Sequence, residues 1–325
     1  MKRIRNAALA LMLGAMALPA HAGEARESQV EAQVENGPLR GTLLSPQGSA
    51  RVAVVIVPGS GPTDRDGDSP LGVEAGYLRM LAESLAARGI ASIRVDKRGM
   101  FASRGTFPDP NAVTFDDYAA DALAWIEVAK QKTGADCAWL AGHSEGGLVA
   151  LVAARTAGPS LCGLVLLAAP GRKMGVVLAE QLRANLTDAS VLDDALAAIE
   201  ALERGERVDT SGFHPSLQGM VFNPAVQDFL IDAFARDPAA LIADVTLPVL
   251  VVQGGNDLQV TTDDAQALSQ AQPAAELALL PGMNHVLKAV PDGDAAANLA
   301  AYRDPSLPLA PGLAEAVAGF ILRGR

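Results

Sequence analysis

The sequence predicts an α/β protein: a mostly parallel, twisted sheet with helices on both faces and a helical block inserted near the middle. Three observations carry this. Residues 52–57 and 164–168 are apolar at every position, and 90–95 and 247–253 nearly so. Such runs are too short for helices and read as strands buried on both faces. Helix-period segments lie between them, as parallel strands require, because each return to the same end of the sheet needs a crossover. The third is the run Gly142-His143-Ser144-Glu145-Gly146, which puts a serine between two glycines, just after one apolar segment and just before another.

Taken in order, the elements begin with a hairpin, residues 28–34 and 40–44 around the turn Asn36-Gly37-Pro38. The buried strand at 52–57 follows, then a helix over 76–88 stopped by Gly89, and the strand at 90–95. A helix is expected over 115–130, a strand at 137–141, a sharp turn at Ser144, a helix over 148–156 and a strand at 164–168. The pattern then changes. Residues 172–243 hold helical stretches only, clearest at 188–204 and 224–236, and this block is expected to form a cap over the strand ends. Strands resume at 247–253 and 276–280, residues 290–311 read as a long surface loop, and 313–322 as a closing helix. The core thus comprises residues 23–171 and 244–325. Aromatic residues make up only 4% of the chain, so Ala, Val and Leu must build the interior.

Residues 1–22 are expected to be a signal peptide and no part of the fold. Lys2, Arg3 and Arg5 form a basic start, an apolar stretch follows from Ala7 to Leu18, and Ala20-His21-Ala22 has the small-x-small form of a cleavage site. The apolar stretch is short for a membrane span, and Ala22-Gly23 offers no cysteine for a lipid. The expectation is an exported, periplasmic or secreted protein whose mature chain does not insert in the membrane. Losing Lys2, Arg3 and Arg5 takes the net charge from −11 to −14, a surface that repels nucleic acid and anionic lipid. Cys137 and Cys162 are the only cysteines, and no His or carboxylate spacing suggests a metal, so no metal and no organic cofactor is expected. Each cysteine opens a strand, and the two strands are separated by one helix, as parallel neighbours are. An oxidising compartment would let them close as a disulfide; the alternative is a pair of buried free thiols.

The serine carries the chemistry. A turn this tight, strand to helix, presents the hydroxyl at the sheet edge and aims the next backbone N–H where an oxyanion forms. Such a serine needs a base, and the base needs an acid. Outside the leader the chain has three histidines. His143 adjoins Ser144 and points away from its hydroxyl, and His214 falls in the helical block. That leaves His285, on a loop after the last strand. The acid is Asp257, in Gly254-Gly255-Asn256-Asp257 just past a strand end, with Asp263 and Asp264 as alternatives. The order Ser144, Asp257, His285 is the one this type of site uses. The first oxyanion donor is the N–H of Glu145, and the second that of Ser60, in the glycine-rich turn Pro58-Gly59-Ser60-Gly61-Pro62. A nucleotide-phosphate loop is excluded there: Asp64 stands where the third glycine would fall, and there is no Walker lysine. Glu145 either complements the helix N-terminus or pairs with Arg65 to brace the oxyanion loop.

G-S-G-P-x-D-R-D-G from Gly59, D-K-R-G at Asp96–Gly99, G-H-S-E-G-G from Gly142 and N-H-V-L-K at Asn284–Lys288 together resemble the α/β-hydrolases, in a bacterial branch of carboxylesterases often described as serine-aminopeptidase-like. The resemblance implies the α/β-hydrolase fold, the Ser144–Asp257–His285 triad, and Ser60 and Glu145 as the oxyanion hole. Met100 and Phe101 depart from the small residues that many relatives carry after D-x-R-G, and Phe101 either borders the acyl pocket or packs. The function expected is hydrolysis of small-molecule carboxylic esters with small or medium acyl groups. The same groups could cleave amides as a peptidase, and a non-catalytic binding protein on this scaffold is the third alternative. The four phenylalanines Phe213, Phe222, Phe229 and Phe234 of the helical block are candidates for setting specificity.

Overall fold

The computed structural model of the chain describes residues 25–48, 50–105, 109 and 112–324; the leader expected at 1–22 lies outside them. Eight strands form one sheet in the order β1-β2-β4-β3-β5-β6-β7-β8. The hairpin β1 (Arg26–Val34) and β2 (Gly37–Ser45) pairs antiparallel, and β2 also meets β4 (Ala91–Val95) antiparallel. All other pairings are parallel: β4 with β3 (Ala53–Val57), β3 with β5 (Ala138–His143), and on through β6 (Leu161–Leu167), β7 (Val249–Gly254) and β8 (Glu276–Leu280).

Each face of the sheet buries its own set of side chains. Val55 and Val57 point to the layer of α2 (Phe115–Thr133) and α3 (Glu145–Ala154), while Val54 and Ile56 point to α1 (Tyr77–Ala86) and α10 (Leu313–Arg323). The two tryptophans divide likewise. Trp125 packs on the first face, and Trp139 on the second, where it meets Phe320 edge-on at 5.2 Å. Helix α2 starts on a capping box between Thr114 and Asp117 and ends at Gly134 with φ 72°, a left-handed C-cap that glycine adopts without steric cost.

Between β6 and β7 the described residues hold only helical and irregular structure: α4 (Met174–Asn185), α5 (Ala189–Glu203), α6 (Gln227–Ala235) and α7 (Pro238–Ala243). The block is tied down on two sides. Arg172 pairs with the buried Asp264 at the start of α8 (Thr262–Ala271), and Gln181 donates to the Gln259 carbonyl. At the other side, Asp232 accepts from the Phe115 backbone N–H, Arg236 pairs with Asp116, and Phe229 stacks on Phe115 at 5.4 Å.

Residues 290–311 differ from the expected surface loop. A short helix, α9 (Ala295–Ala300), forms there, capped by Asp294, and its Asn298 is buried. A six-residue helix of mostly alanine has too little periodicity to be read from sequence; the side chain of Asn298 is what attaches it.

Cys137 and Cys162 are joined as a disulfide with Cα atoms 5.3 Å apart, at the amino ends of β5 and β6 and so at the opposite end of these strands from Ser144. Thiol titration of the denatured, unreduced protein from an oxidising compartment should find no free thiol. Replacing both cysteines by alanine should lower unfolding stability by about 3 kcal/mol, the chain-entropy value for a loop of this size, while leaving the chemistry at the other sheet end unaltered.

Candidate active site

Parallel strands all deliver their carboxyl ends to one edge, and ligand sites of open α/β sheets form there. Ser144 follows β5, the Gly59–Ser60 turn follows β3, Asp257 follows β7, and His285 follows β8. The fold therefore brings together every residue of the expected triad and oxyanion hole.

Ser144 sits at φ 53°, ψ −123°, in a conformation that few L-residues adopt. Its neighbours explain why the turn closes. A Cβ on Gly142 would run into the Gly146 backbone, and one on Gly146 would meet the Val57 carbonyl, so both must be glycine. The Ser144 N–H donates to Leu167 O at 2.8 Å, which ties the turn to β6. The helix starts at Glu145, three residues before the first position its apolar pattern marks, because glycines conceal the first turn.

His285 donates from Nδ1 to Asp257 Oδ2 at 2.8 Å, leaving Nε2 as the lone-pair nitrogen. Asp257 Oδ1 accepts from the backbone N–H groups of Gln259 (2.8 Å) and Val260 (2.9 Å), and Gln253 Nε2 reaches Oδ2 at 3.3 Å. Burial pushes the Asp257 carboxyl up, but the adjacent His285 and the two backbone donors outweigh it and hold the group below the usual carboxylate range. Asp257 is thus the ionised partner of the imidazole. Asp264, the alternative acid, instead caps α8 and pairs with Arg172, and Asp263 is exposed on that helix. The His214 side chain, in the helical block, bonds locally to Ser216.

His143 has a definite place of its own. Its Nε2–H donates to the backbone carbonyl of His285 at 2.8 Å, so its Nδ1 must accept from the Tyr77 hydroxyl at 3.1 Å. Burial pushes the Tyr77 phenol well up, keeping that proton in place. The residue before Ser144 therefore anchors the loop that carries His285. Asn298, not anticipated from the sequence, does related work: it donates to Asn256 O at 2.6 Å and accepts from Asn284 at 3.3 Å, linking the turns that hold Asp257 and His285.

The two expected oxyanion donors, the N–H groups of Ser60 and Glu145, make no hydrogen bond among the described residues. The Ser144 hydroxyl likewise has no partner there, and His285 Nε2 makes no bond to it; such contacts commonly tighten only when substrate is bound. The Glu145–Arg65 pair, the second of the two alternatives for Glu145, is not formed. Arg65 pairs with Asp96 at 2.6 Å, and Glu145 pairs with Lys97 at 3.0 Å. The reason is strand order: β4 lies next to β3, so Asp96 and Lys97, leaving β4, are the charges nearest the oxyanion loop. Phe101, at φ 44°, is half-buried in a short turn whose next amide, that of Ala102, donates to Asp96. Of the four phenylalanines in the helical block, Phe222 and Phe234 are fully buried and Phe229 is held against Phe115, which leaves Phe213, half-buried and edge-on to Phe222.

The family described as serine aminopeptidase, S33, matches residues 71–289. This chain belongs to that family. As a member of the S33 serine aminopeptidase family it is an α/β-hydrolase, and it is similar to esterase EstD from Thermotoga maritima, with 30% identity over 244 residues. That match covers 74% of this chain and 55% of the relative, so the chain spans about half the length of the curated relative. Solved structures share the S33 chain's fold. Est1E from Butyrivibrio proteoclasticus superposes with a TM-score of 0.56 at 19% identity, covering 91% of this chain and 98% of its own. A proline iminopeptidase from Mycobacterium smegmatis gives 0.58 at 17% identity, with the same coverages.

Burial pushes His143 down to about 3, helped by the neighbouring His285 and opposed by the hydrogen bond to its carbonyl. Between pH 6.5 and about 3 the unfolded chain therefore takes up a proton that the folded chain refuses. The His143 contribution to stability should fall by about 1.4 kcal/mol per pH unit on acidification through that window. Urea unfolding of His143→Gln, which has no proton to take up there, should show a correspondingly flatter slope over the same range.

Proposed function

We propose that the protein is a serine hydrolase that cleaves small-molecule carboxylic esters of small or medium acyl length through an acyl-enzyme. The Asp257–His285 hydrogen bond, formed beside the strained Ser144 turn, is the observation that carries this reading. Ser144 Oγ attacks the acyl carbon and its proton passes to His285 Nε2. The oxyanion receives the free N–H groups of Ser60 and Glu145. Collapse breaks the C–O bond of the ester, and His285 returns the proton to the departing alcohol. A water then gives its proton to His285, attacks the acyl carbon and releases the acid, with Ser144 reprotonated. Asp257 holds the imidazole tautomer and stabilises the imidazolium throughout.

The ester preference is supported by the similarity to esterase EstD, and the family's description keeps aminoacyl amides as the competing substrate. The block at 172–243 is read as a cap that sets acyl and leaving-group preference, supported by its insertion between β6 and β7 and its attachment beside Asp257 through Gln181 and Arg172. Export to an oxidising compartment is part of the same reading, supported by the leader-like residues 1–22 and the Cys137–Cys162 bridge.

Nitrophenyl esters of rising acyl length, run beside aminoacyl anilides, test the substrate class. Short to medium esters should lead in kcat/KM; anilides leading would make the protein an amidase. Ser144→Ala and His285→Ala should each lower kcat by about three decades or more with the fold retained. Asp257→Asn should cost about four decades, through loss of the tautomer. An Asp257→Asn variant near wild type would remove Asp257 from the triad.

A further inference from the structure

The Lys97–Glu145 pair is almost entirely removed from water, with 3% and 2% of the side chains exposed. Withdrawing two charges from solvent costs several kcal/mol each, and well-packed apolar side chains in their place are commonly as stable or more so. Stability alone therefore gives a weak reason for a lysine here. What the ammonium touches gives a better one. Lys97 Nζ donates to Gly59 O at 2.6 Å and to Glu145 Oε1 at 3.0 Å, and lies 5.4 Å from the centre of the Tyr118 ring.

Both contacts lead to the oxyanion hole. Gly59 C=O and Ser60 N–H belong to one planar trans peptide, so a carbonyl held on one side aims the amide to the other. The second contact fastens the side chain of Glu145, whose backbone N–H is the other donor. Lys97 leaves the end of β4 and reaches past the end of β3 to the residue after Ser144, which follows β5. One ammonium thus spans three adjacent strand ends and fixes the two donors relative to each other. The preceding residue, Asp96, holds the same loop further along through the backbone N–H and guanidinium of Arg65.

Resting on the hydrolase reading above, we propose that Lys97 is a positioning residue for the oxyanion hole: it orients the Ser60 amide through the Gly59 carbonyl and locks it to Glu145. It touches no substrate. Its contribution is made in the transition state, where misdirected donors are felt, and not in ground-state binding.

The test compares wild type, Lys97→Met, and Lys97→Met combined with Glu145→Met, in ester turnover and in affinity for an alkylboronic acid, whose serine adduct mimics the tetrahedral intermediate. The double variant leaves no unpaired buried charge, so it remains informative where the single one folds poorly. In the double variant kcat should fall about 100-fold, the scale of one lost oxyanion donor. Boronate affinity should fall in step, KM should move less than about threefold, and the pH midpoint of kcat/KM should stay where it is in wild type. If the double variant regains wild-type kcat and boronate affinity, Lys97 serves only to neutralise Glu145 and the proposal is wrong. A loss confined to KM would overturn it equally. Failure of the underlying reading has a different signature: wild-type turnover that survives Ser144→Ala.

Discussion

The backbone at Ser144 is the constraint on which the site depends. A non-glycine residue at positive φ stores of order 1–3 kcal/mol, and only a rigid surround keeps it there. That surround is β5, buried along its whole length and paired on both sides, with a hydrogen bond from the Ser144 amide to β6. Close approach of α3 to β3 then requires glycine at 146, and the fold-back of α3 onto the end of β5 requires it at 142. The same geometry lifts the serine hydroxyl to the sheet edge and leaves the Glu145 amide without a helical partner, so strain, exposure and the free donor share one cause.

Around this turn the interior becomes unusually polar. Two buried networks meet there: Tyr77, His143, His285 and Asp257 on one side, Lys97 and Glu145 on the other. Each is close to fully hydrogen-bonded, as buried polar groups must be to avoid a large desolvation cost. Both end on backbone atoms of the loops that carry His285 and Ser60, the His285 carbonyl and the Gly59 carbonyl. In this edge of the sheet polar side chains hold main chain in place, while packing of Val, Leu and Ala does so elsewhere.

Much of this was legible from the residues because the responsible signals are local. The uninterrupted apolar run at 52–57 marks a doubly buried strand, and glycines two residues either side of Ser144 mark the turn. Chain order and elimination point to Asp257 and His285. What was not legible depends on which strands are neighbours. The pairing of Glu145 with Lys97, and of Arg65 with Asp96, follows from β4 lying beside β3, which no spacing encodes. Asn298 was hidden for a different reason. It acts through two single hydrogen bonds from a short alanine-rich helix, where composition suggests a loop.

Hydrolysis by the proposed route requires that Ser144 become covalently acylated during turnover. Acid-quenching the protein during steady-state hydrolysis of a slowly released ester, followed by peptide mass mapping, tests it most directly. The acyl mass should be found on the peptide containing Ser144, appearing before steady state and disappearing once substrate is exhausted. Turnover without any acylated peptide, or an acyl group carried by a different residue, would contradict it.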